Sequence, residues 1–490
     1  MKPRLLACAL LTLVVAMLAP SAASASSSQL SLLQDDREFL GERGEDLDSA
    51  TAELKNLGVD ILRTNVNYNK IYKTPKDRTK PRDFKTSDPN NSHYDWSATD
   101  RLVALARAKG VKLLLTVTGP GPYFSSENPR KCKRLPCTYK PKTREFQDFA
   151  AAAATRYRGK ADYYAIWNEP NIGKTWLTPR FEKRRGVGTI DYAAAKYRQL
   201  YIAGQKAIAK HDPARRNRVL FGEVAAISQP LPFLRSALCL DSRNRPFRGR
   251  AGQGHRMHAR EAHQHARLRR APLQPGGQRH PAQQDQDQDV AVDRLHAPAA
   301  PPAGRRGAAE ADRWASRHLR DRVRLPVQAA GQRLEREPDR AGAVHQRVGP
   351  AAASADSRVK WVGQYELTDV RDKDEFNTGL RFVGGTRKPA YAAFRMPIVV
   401  TRRSANSVEV YGQSRPGGAS TVAIQAQSSG GQFTTVRNVR TNSRGVFRVN
   451  VSRKSAFRLK WRLSGMSAAT GEAITSRTAK AGKKLGFYKG

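Results

Sequence analysis

Short apolar runs alternate with longer amphipathic segments through the first half of the chain. The apolar runs predict buried strands at residues 29–34, 59–63, 111–117, 161–166 and 218–223. Between them, apolar residues recur at helical spacing in residues 46–58, 96–109, 143–158 and 191–210. Strands that alternate with helices at this spacing predict a parallel sheet, and this many repeats favour a closed (β/α)8 TIM barrel over an open sheet.

The period of the hydrophobic positions changes to two from about residue 399. Short strands are predicted at 408–411, 421–425, 445–451 and 457–461, with turns rich in Gly and Ser between them. This pattern is typical of a small all-β sandwich. The predicted organisation is barrel strands 1–5 in residues 26–250, an interruption at 251–350, the last barrel strand and helix in 351–398, and a basic β-rich accessory domain in 399–490.

The first 25 residues have the pattern of a secretory signal. Lys2 and Arg4 form a basic start, residues 5–18 are apolar but too few to span a bilayer, and residues 23–25 are small, as cleavage requires. No later stretch of the sequence is apolar enough for a transmembrane helix. We therefore expect a secreted protein, extracellular or associated with the cell wall, without a transmembrane segment.

Removal of this signal removes Cys8 and leaves Cys132, Cys137 and Cys239. Export favours disulfides, and Cys132 and Cys137 flank a short basic loop that a disulfide between them would close. Cys239 is then left over. Because no His lies at ligand spacing from these cysteines, we expect no metal and no cofactor.

A formal net charge of +44 and a pI of about 10.7 predict contact with polyanions such as acidic wall polymers, nucleic acid or anionic lipid. A general basic drift of the proteome is the alternative. Residues 399–490 carry many Lys and Arg against only Glu409 and Glu472, which favours an anionic cell-wall polymer as partner of this domain, with a solvated basic face as the alternative. Weak aromatic interleaving argues against a specific nucleic-acid partner.

One pentapeptide carries most of the chemistry. Trp167-Asn168-Glu169-Pro170-Asn171 follows the apolar run 161–166, so a carboxylate and an amide stand at the C-terminal end of a predicted parallel strand. A (β/α)8 barrel places its catalytic residues at this end of its strands. The alternative is a loop whose glutamate merely caps a helix.

The pentapeptide resembles the Asn-Glu-Pro signature of the retaining glycosidases of clan A, barrel enzymes that include cellulases and xylosidases. The resemblance implies that Glu169 is the general acid/base and that Asn168 contacts the sugar 2-hydroxyl. Arg63 matches the family arginine that steadies the nucleophile, with a surface salt bridge as the alternative. Gln364 and Tyr365, in the last predicted barrel strand, are expected near the sugar.

Two further residues of this region are ambiguous. Trp167 is expected to pack in the core, because an aromatic residue before such a motif usually does. Glu223 is a spare carboxylate at another strand end, and nothing in its motif marks it as the nucleophile.

Residues 251–350 break both hydrophobic patterns. They contain no Lys, Ile, Phe, Tyr, Asn, Thr or Cys, and they hold eight of the ten His of the chain. A disordered basic insertion is one interpretation, and a His-rich metal tract is another, although the histidines follow no coordinating spacing. Translation out of frame fits the composition better.

The genetic code allows the frame hypothesis to be examined. Reading each codon one base later from Arg270 permits Ala-His-Pro-Tyr-Asn-Pro, which resembles the strand-6 His-Pro-Tyr element of the clan A enzymes. The same shift from Asp321 permits Thr-Glu-Phe-Gly-Tyr, which resembles their strand-7 element, whose Glu is the nucleophile. The shift also turns the codons of Met257 and His258 into a Cys, a potential partner for Cys239. Two family elements in order and in one frame indicate a frame shift.

The functional hypothesis follows from these pieces. Retaining hydrolysis of an O-glycosyl bond needs an acid/base and a nucleophilic carboxylate about 5 Å apart. Glu169 supplies the acid/base for a polysaccharide or oligosaccharide substrate, and the ionised nucleophile is expected to keep it protonated by like-charge repulsion. As translated, the chain lacks the nucleophile and barrel strands 6 and 7, so we expect an inactive product. The alternative is a secreted, non-catalytic protein that binds polysaccharide or polyanion.

Overall fold

The computed structural model of this protein describes residues 30–41, 46–173, 176–225, 228–249, 252, 360–370, 377–462 and 473–482. The expected signal, residues 1–25, lies outside the described residues. So does the expected out-of-frame segment 251–350, apart from Gly252. Cleavage of the signal and the frame shift therefore stay predictions.

Six parallel strands form the sheet of the N-terminal part. They are β1 (Leu30–Gln34), β2 (Ile61–Asn67), β3 (Lys112–Thr118), β4 (Tyr163–Ile166), β7 (Val219–Leu220) and β8 (Trp361–Tyr365). A separate antiparallel hairpin is made by β5 (Phe181–Arg184) and β6 (Gly188–Asp191). The spatial order β7-β4-β3-β2-β1-β8 keeps neighbours in sequence side by side and returns the last strand to the first. In a (β/α)8 barrel, strands one to five and the last strand lie side by side in this order, with the last strand next to the first. The six strands therefore form part of such a barrel, as the hydrophobic pattern predicts.

Eight α-helices lie among the described residues. They are α1 (Asp36–Phe39), α2 (Leu47–Leu57), α3 (Tyr68–Ile71), α4 (Ser97–Ala108), α5 (Thr143–Arg156), α6 (Tyr192–His211), α7 (Pro230–Ala237) and α8 (Pro389–Arg395). Short 3₁₀ turns occupy Tyr123–Ser125, Pro129–Lys131 and Pro213–Arg215. Among these described helices, none is both long and apolar enough to cross a membrane.

Local sequence sets the ends of α2. The Asp46 carboxylate accepts a hydrogen bond from the backbone N–H of Asp48 at 3.0 Å, which satisfies one of the free donors at the start of the helix. Gly58 adopts φ 66°, a left-handed conformation that glycine tolerates, and ends the helix. Leu54 and Leu57, on one face, are fully buried against the sheet.

Alanines and aromatic rings build the layer under the site. Helix α5 buries an unbroken run of alanines, and Phe149 on the same helix stacks on Tyr68 with ring centroids 4.3 Å apart. Helix α6 approaches β4 closely at Gly204, where a Cβ atom would lie 2.6 Å from Cδ1 of Ile166. Ile166 immediately precedes the pentapeptide 167–171, so this packing holds the start of the pentapeptide in place.

The C-terminal part is all-β, as the period-two pattern predicts. Its strands are β9 (Ile398–Arg402), β10 (Ser407–Gln413), β11 (Thr421–Gln427), β12 (Phe433–Arg440), β13 (Val446–Ser452), β14 (Phe457–Arg462) and β15 (Ala473–Thr475). One antiparallel sheet has the order β13-β10-β9, and a second has the order β12-β11-β14-β15. Residues from both sheets share one apolar cluster that includes Val408, Ile424 and Trp461, which is the packing of a β-sandwich.

The cysteines of the barrel part differ in their environments. Cys132 and Cys137 are joined in a disulfide with their Cα atoms 5.1 Å apart, and it closes the short basic loop between them. Cys239 is buried, and its Sγ lies 2.6 Å from Nη1 of Arg198.

Replacement of Phe149 by Ala tests the aromatic layer. The side chain is fully buried, so its loss leaves a cavity beneath the barrel, and we expect a loss of about 3–5 kcal/mol in the free energy of unfolding. Chemical denaturation followed by circular dichroism measures this loss. The matched control is Phe181→Ala, because Phe181 is 57 % exposed and its removal is expected to change stability little. Equal losses in both variants would contradict the packing described here.

Candidate active site

Side chains from four strands or strand ends meet at one end of the barrel arc. Arg63 of β2 donates from Nε to Glu223 Oε1 at 3.3 Å, and its Nη2 also donates to the second oxygen of that carboxylate. The same Nη2 donates to Asn168 Oδ1 at 2.9 Å. Thr116 of β3 donates its hydroxyl to Glu223 Oε2 at 3.1 Å. The structure thus brings together Arg63 and Asn168, both predicted from the sequence, with two residues that were not predicted as site residues.

The ion pair between Arg63 and Glu223 lies inside the protein. The two side chains are only 10 % and 11 % exposed, so the surface salt bridge considered for Arg63 is not what forms. Burial acts most strongly and lowers the pKa of Arg63, but the charge and hydrogen bond of Glu223 and the charges of Asp36 and Glu169 together outweigh it, and the pKa of Arg63 is raised. Arg63 is therefore held as a cation in contact with a carboxylate.

Glu169 lies directly beside this pair. Its backbone N–H donates to the backbone carbonyl of Glu223 at 3.0 Å, which links the ends of β4 and β7. Its side-chain Oε2 accepts a hydrogen bond from the indole Nε1 of Trp176 at 3.0 Å and a longer one from Nδ2 of Asn168 at 3.5 Å. The carboxyl group thus has donors on one oxygen only among the described contacts.

The pKa of Glu169 is raised, chiefly because burial disfavours the charged form. The hydrogen bond from Trp176 and the charge of Arg63 oppose the rise, and the charge of Glu223 adds to it. The sequence led us to expect like-charge repulsion from a nucleophile that lies outside the described residues, so that expectation stays a prediction. Among the described residues desolvation is the larger cause of the raised pKa of Glu169, and the charge of Glu223 is a smaller one.

The backbone around the site is strained. Trp167, Glu169 and Glu223 have φ values of 67°, 42° and 49°, in the left-handed region that residues with a Cβ rarely adopt. Such conformations cost about 1–3 kcal/mol each and persist where the surrounding structure imposes them, often at functional sites. These conformations occur at the ends of two adjacent strands, where Glu169 and Glu223 lie.

Trp167 fills the core beneath the site, as expected from the sequence. It is 1 % exposed and meets Phe146 edge to face, with ring centroids 5.3 Å apart. Gly119 allows this packing, since a Cβ atom there would lie 2.3 Å from the Trp167 ring. Trp167 therefore supports Asn168 and Glu169 from below.

The other two predicted sugar contacts, Gln364 and Tyr365, lie on the last barrel strand, β8. Gln364 donates its amide to the backbone carbonyls of Tyr365 and Thr378, at 2.8 and 2.5 Å, and no described contact joins it to Arg63, Asn168 or Glu169. Tyr365 is 42 % exposed. Strand β8 faces β4 across the barrel interior, where the rings of Trp361 and Tyr163 meet with centroids 5.2 Å apart. The contact of Gln364 and Tyr365 with sugar stays a prediction.

A second buried carboxyl follows β8. Glu366 has φ 68° and its pKa is raised to about 7, first by burial and then by the charge of Asp35. Its Oε2 accepts hydrogen bonds from the backbone N–H and the hydroxyl of Thr378, at 3.2 and 3.3 Å. Glu366 is thus a titrating group inside the last barrel segment.

Three site residues escaped the sequence analysis: Thr116, Trp176 and Glu223. Thr116 is a polar residue within an otherwise apolar strand, and this break in the pattern is a signal that could have pointed to it. Glu223 carried the right signal, a carboxylate at a strand end, but only the fold shows that it reaches Arg63. Trp176 lies seven residues after Glu169 and has no distinguishing sequence signal.

No protein-family model matches this chain, and no curated protein does. Among solved structures, a glucosidase from Croceicoccus marinus aligns with a TM-score of 0.42 at 11 % identity, covering 88 % of this chain and 95 % of that chain. A monomeric beta-xylosidase from Caulobacter crescentus CB15 aligns with a TM-score of 0.39 at 13 % identity, covering 89 % and 96 %.

A further aligned structure is a hyperthermophilic beta-glucosidase from Pyrococcus furiosus, with a TM-score of 0.24 at 18 % identity over 34 % of this chain and 41 % of that chain. All three structures are glycosidases with (by name) glucosidase or xylosidase activity. Likenesses of this size neither establish a family nor transfer a function to this chain. The function has to be judged from the site itself.

Replacement of Glu366 by Gln is expected to change how stability depends on pH. The folded state keeps the Glu366 proton up to about pH 7, whereas the unfolded carboxyl releases it near its ordinary pKa of 4.5. Wild-type stability should therefore fall as pH rises from about 4.5 to 7, by about 3 kcal/mol in total. The neutral amide removes this loss, so the variant should have the higher Tm at pH 8.

Thermal unfolding of both proteins across pH 3–8 measures the effect. The difference between the two Tm values should become constant below about pH 3.5, where the wild-type carboxyl is protonated in both states, and this plateau serves as the internal control. A constant difference at every pH would show that Glu366 does not titrate as described.

Replacement of Trp176 by Phe is expected to raise the pKa of Glu169 further. The indole N–H stabilises the ionised carboxylate, and phenylalanine keeps an aromatic ring without the donor. Carbon-13 NMR titration of the glutamate side chains measures the pKa, with Glu169→Gln identifying the resonance. An unchanged or lowered pKa in the Trp176 variant would contradict the hydrogen bond.

Proposed function

We propose that this end of the barrel is the acid half of a glycosidase active site, built for the O-glycosyl bonds of a polysaccharide or oligosaccharide. The observation that carries the proposal is a buried carboxyl with a raised pKa, Glu169, beside the ion pair of Arg63 and Glu223 at the C-terminal end of barrel strands. A carboxyl group that stays protonated can donate its proton to a leaving glycosidic oxygen.

Each neighbouring residue has a role in this proposal. Glu169 is the general acid and, after the leaving group has gone, the general base. Trp176 orients its carboxyl through the indole hydrogen bond. Asn168, whose Oδ1 is held by Arg63 and whose Nδ2 faces Glu169, is placed to contact the sugar 2-hydroxyl.

Retention of configuration also needs a nucleophile across the scissile bond from the acid. Glu223 is poorly suited, because both of its oxygens accept hydrogen bonds from Arg63 and Oε2 accepts another from Thr116. It also lies on the strand adjacent to Glu169 rather than across the barrel mouth. The resemblance to clan A places the nucleophile at the codons now read as Arg322 and Val323.

We therefore propose that the chain as translated descends from a retaining glycosidase and does not complete the reaction, because an acid without a nucleophile forms no glycosyl-enzyme. The alternative is a protein that binds polysaccharide at the same end of the barrel without cleaving it. Secretion, as the N-terminal pattern predicts, would place either protein where such polymers occur.

Hydrolysis by two purified chains tests the proposal. The first is the chain as translated, and the second has the reading frame restored between codons 251 and 350. On 4-nitrophenyl β-glucoside and β-xyloside, the first should be inactive, and the second should hydrolyse one of them with retention. Glu169→Gln in the restored chain should lower kcat about 10²–10⁴-fold on cellobiose or xylobiose, whose sugar leaving groups need the proton donor, and by less on the 4-nitrophenyl glycosides, whose leaving group does not.

Glu223→Gln in the chain as translated is the matched control. If that chain hydrolyses either substrate and Glu223→Gln abolishes the hydrolysis, Glu223 is the second catalytic carboxylate and the proposed inactivity is wrong. If Glu169→Gln leaves the restored chain fully active, the assignment of the acid is wrong.

A further inference from the structure

One sheet of the C-terminal part has a core face and a solvent face. In the sheet β12-β11-β14-β15, Ile424, Leu459 and Trp461 are buried in the sandwich core. Side chains alternate between faces along a strand, so the residues next to these point outward. The outward positions Thr421, Lys460 and Thr475 are indeed exposed.

The strand register collects cations on this outer face. Arg440 lies opposite Thr421, and Lys460 lies opposite Ala423, on strands that share β11. Arg458 pairs with Gln425, and Arg462 pairs with Ala473. Residues directly opposite in antiparallel strands share a face. Arg440, Arg458, Lys460 and Arg462 therefore form one surface, called here the basic face.

No acidic residue balances the basic face within its own sheet. The strands β11, β12, β14 and β15 contain neither Asp nor Glu. Glu409, the acidic residue described in the C-terminal part, lies in the other sheet and contacts Arg403 at 2.5 Å and Arg448 at 3.5 Å. The basic face therefore has a positive charge that a polyanion would complement.

The spacing and surroundings of these cations indicate the chemistry of the partner. Lys460 and Arg462 are two residues apart on one strand, roughly 7 Å, and Arg440 is two strands away, roughly 10 Å. Arginine binds phosphate through two parallel N–H donors. Among the described residues, the aromatic ring at this face is Phe433, and the guanidinium of Arg458 lies over it at 4.4 Å, which takes up ring surface that a nucleobase would need for stacking.

We propose that the basic face binds a linear polyol phosphate, a phosphodiester polymer that carries no bases. Exposed Thr421, Asn438 and Thr475 stand between the cations and offer hydrogen bonds to polyol hydroxyls. The contact anchors the protein to an anionic polymer and is independent of the activity proposed for the barrel. The net charge predicts affinity for polyanions, and this proposal locates that affinity on one surface of one sheet.

Binding of the full chain to a fluorescent poly(glycerol phosphate) oligomer tests this inference. The variant Arg440→Gln/Lys460→Gln/Arg462→Gln should weaken binding at least about tenfold and reduce the slope of log Kd against log salt by about 2, because fewer counterions are released. The matched control is Lys112→Gln/Arg158→Gln/Lys160→Gln, which removes three exposed cations from the barrel part. It should weaken binding less than about twofold.

Three outcomes decide the matter. Selective loss in the basic-face variant, with circular dichroism unchanged, supports the proposal. Equal loss in both triple variants overturns it, since net charge alone then explains binding. The assignment to a base-free polymer is overturned if single-stranded DNA of equal charge binds as tightly as the polyol phosphate and if the basic-face variant weakens both interactions equally. Arg440→Lys/Arg462→Lys keeps the charge and should weaken binding to an intermediate extent, because the paired donors of arginine are lost.

Discussion

The buried ion pair between Arg63 and Glu223 is the interaction on which the barrel end depends. It connects β2 to the end of β7, and through Asn168 it reaches the end of β4. Removing one partner of such a pair typically costs about 3–5 kcal/mol, because the other charge stays buried and uncompensated. The pair therefore holds three strand ends of an incomplete arc in a fixed relation, and any chemistry at this end takes place around it.

The surroundings of this ion pair also shift the pKa of Glu169. Burial raises its pKa, while the Trp176 donor and the Arg63 charge restrain the rise. Desolvation outweighs these opposing influences, so the net shift of the Glu169 pKa is upward. A raised pKa is the property that the proposed general acid needs.

Charged side chains differ in burial and pairing between the two parts of the chain. In the barrel part, buried charges are paired, as in Arg63 with Glu223 and Lys388 with Asp369, whose atoms lie 2.5 Å apart. On the basic face of the C-terminal sheet Arg440, Lys460 and Arg462 are exposed, and the strands hold no acidic residue. Buried charges need partners because desolvation is costly, whereas exposed charges are hydrated and remain available to a ligand.

Local sequence was sufficient for the barrel strands and helices, the all-β C-terminal part, and the placing of Asn168 and Glu169 at a strand end. These features depend on hydrophobic period, helix caps and a contiguous motif, which are all readable within a few residues. Only the tertiary structure showed that Glu223 is the partner of Arg63, since the two are 160 residues apart in the chain. It likewise showed Trp176 on Glu169 and desolvation as the main cause of the raised pKa, because burial and long-range contacts arise only when the strand ends pack together.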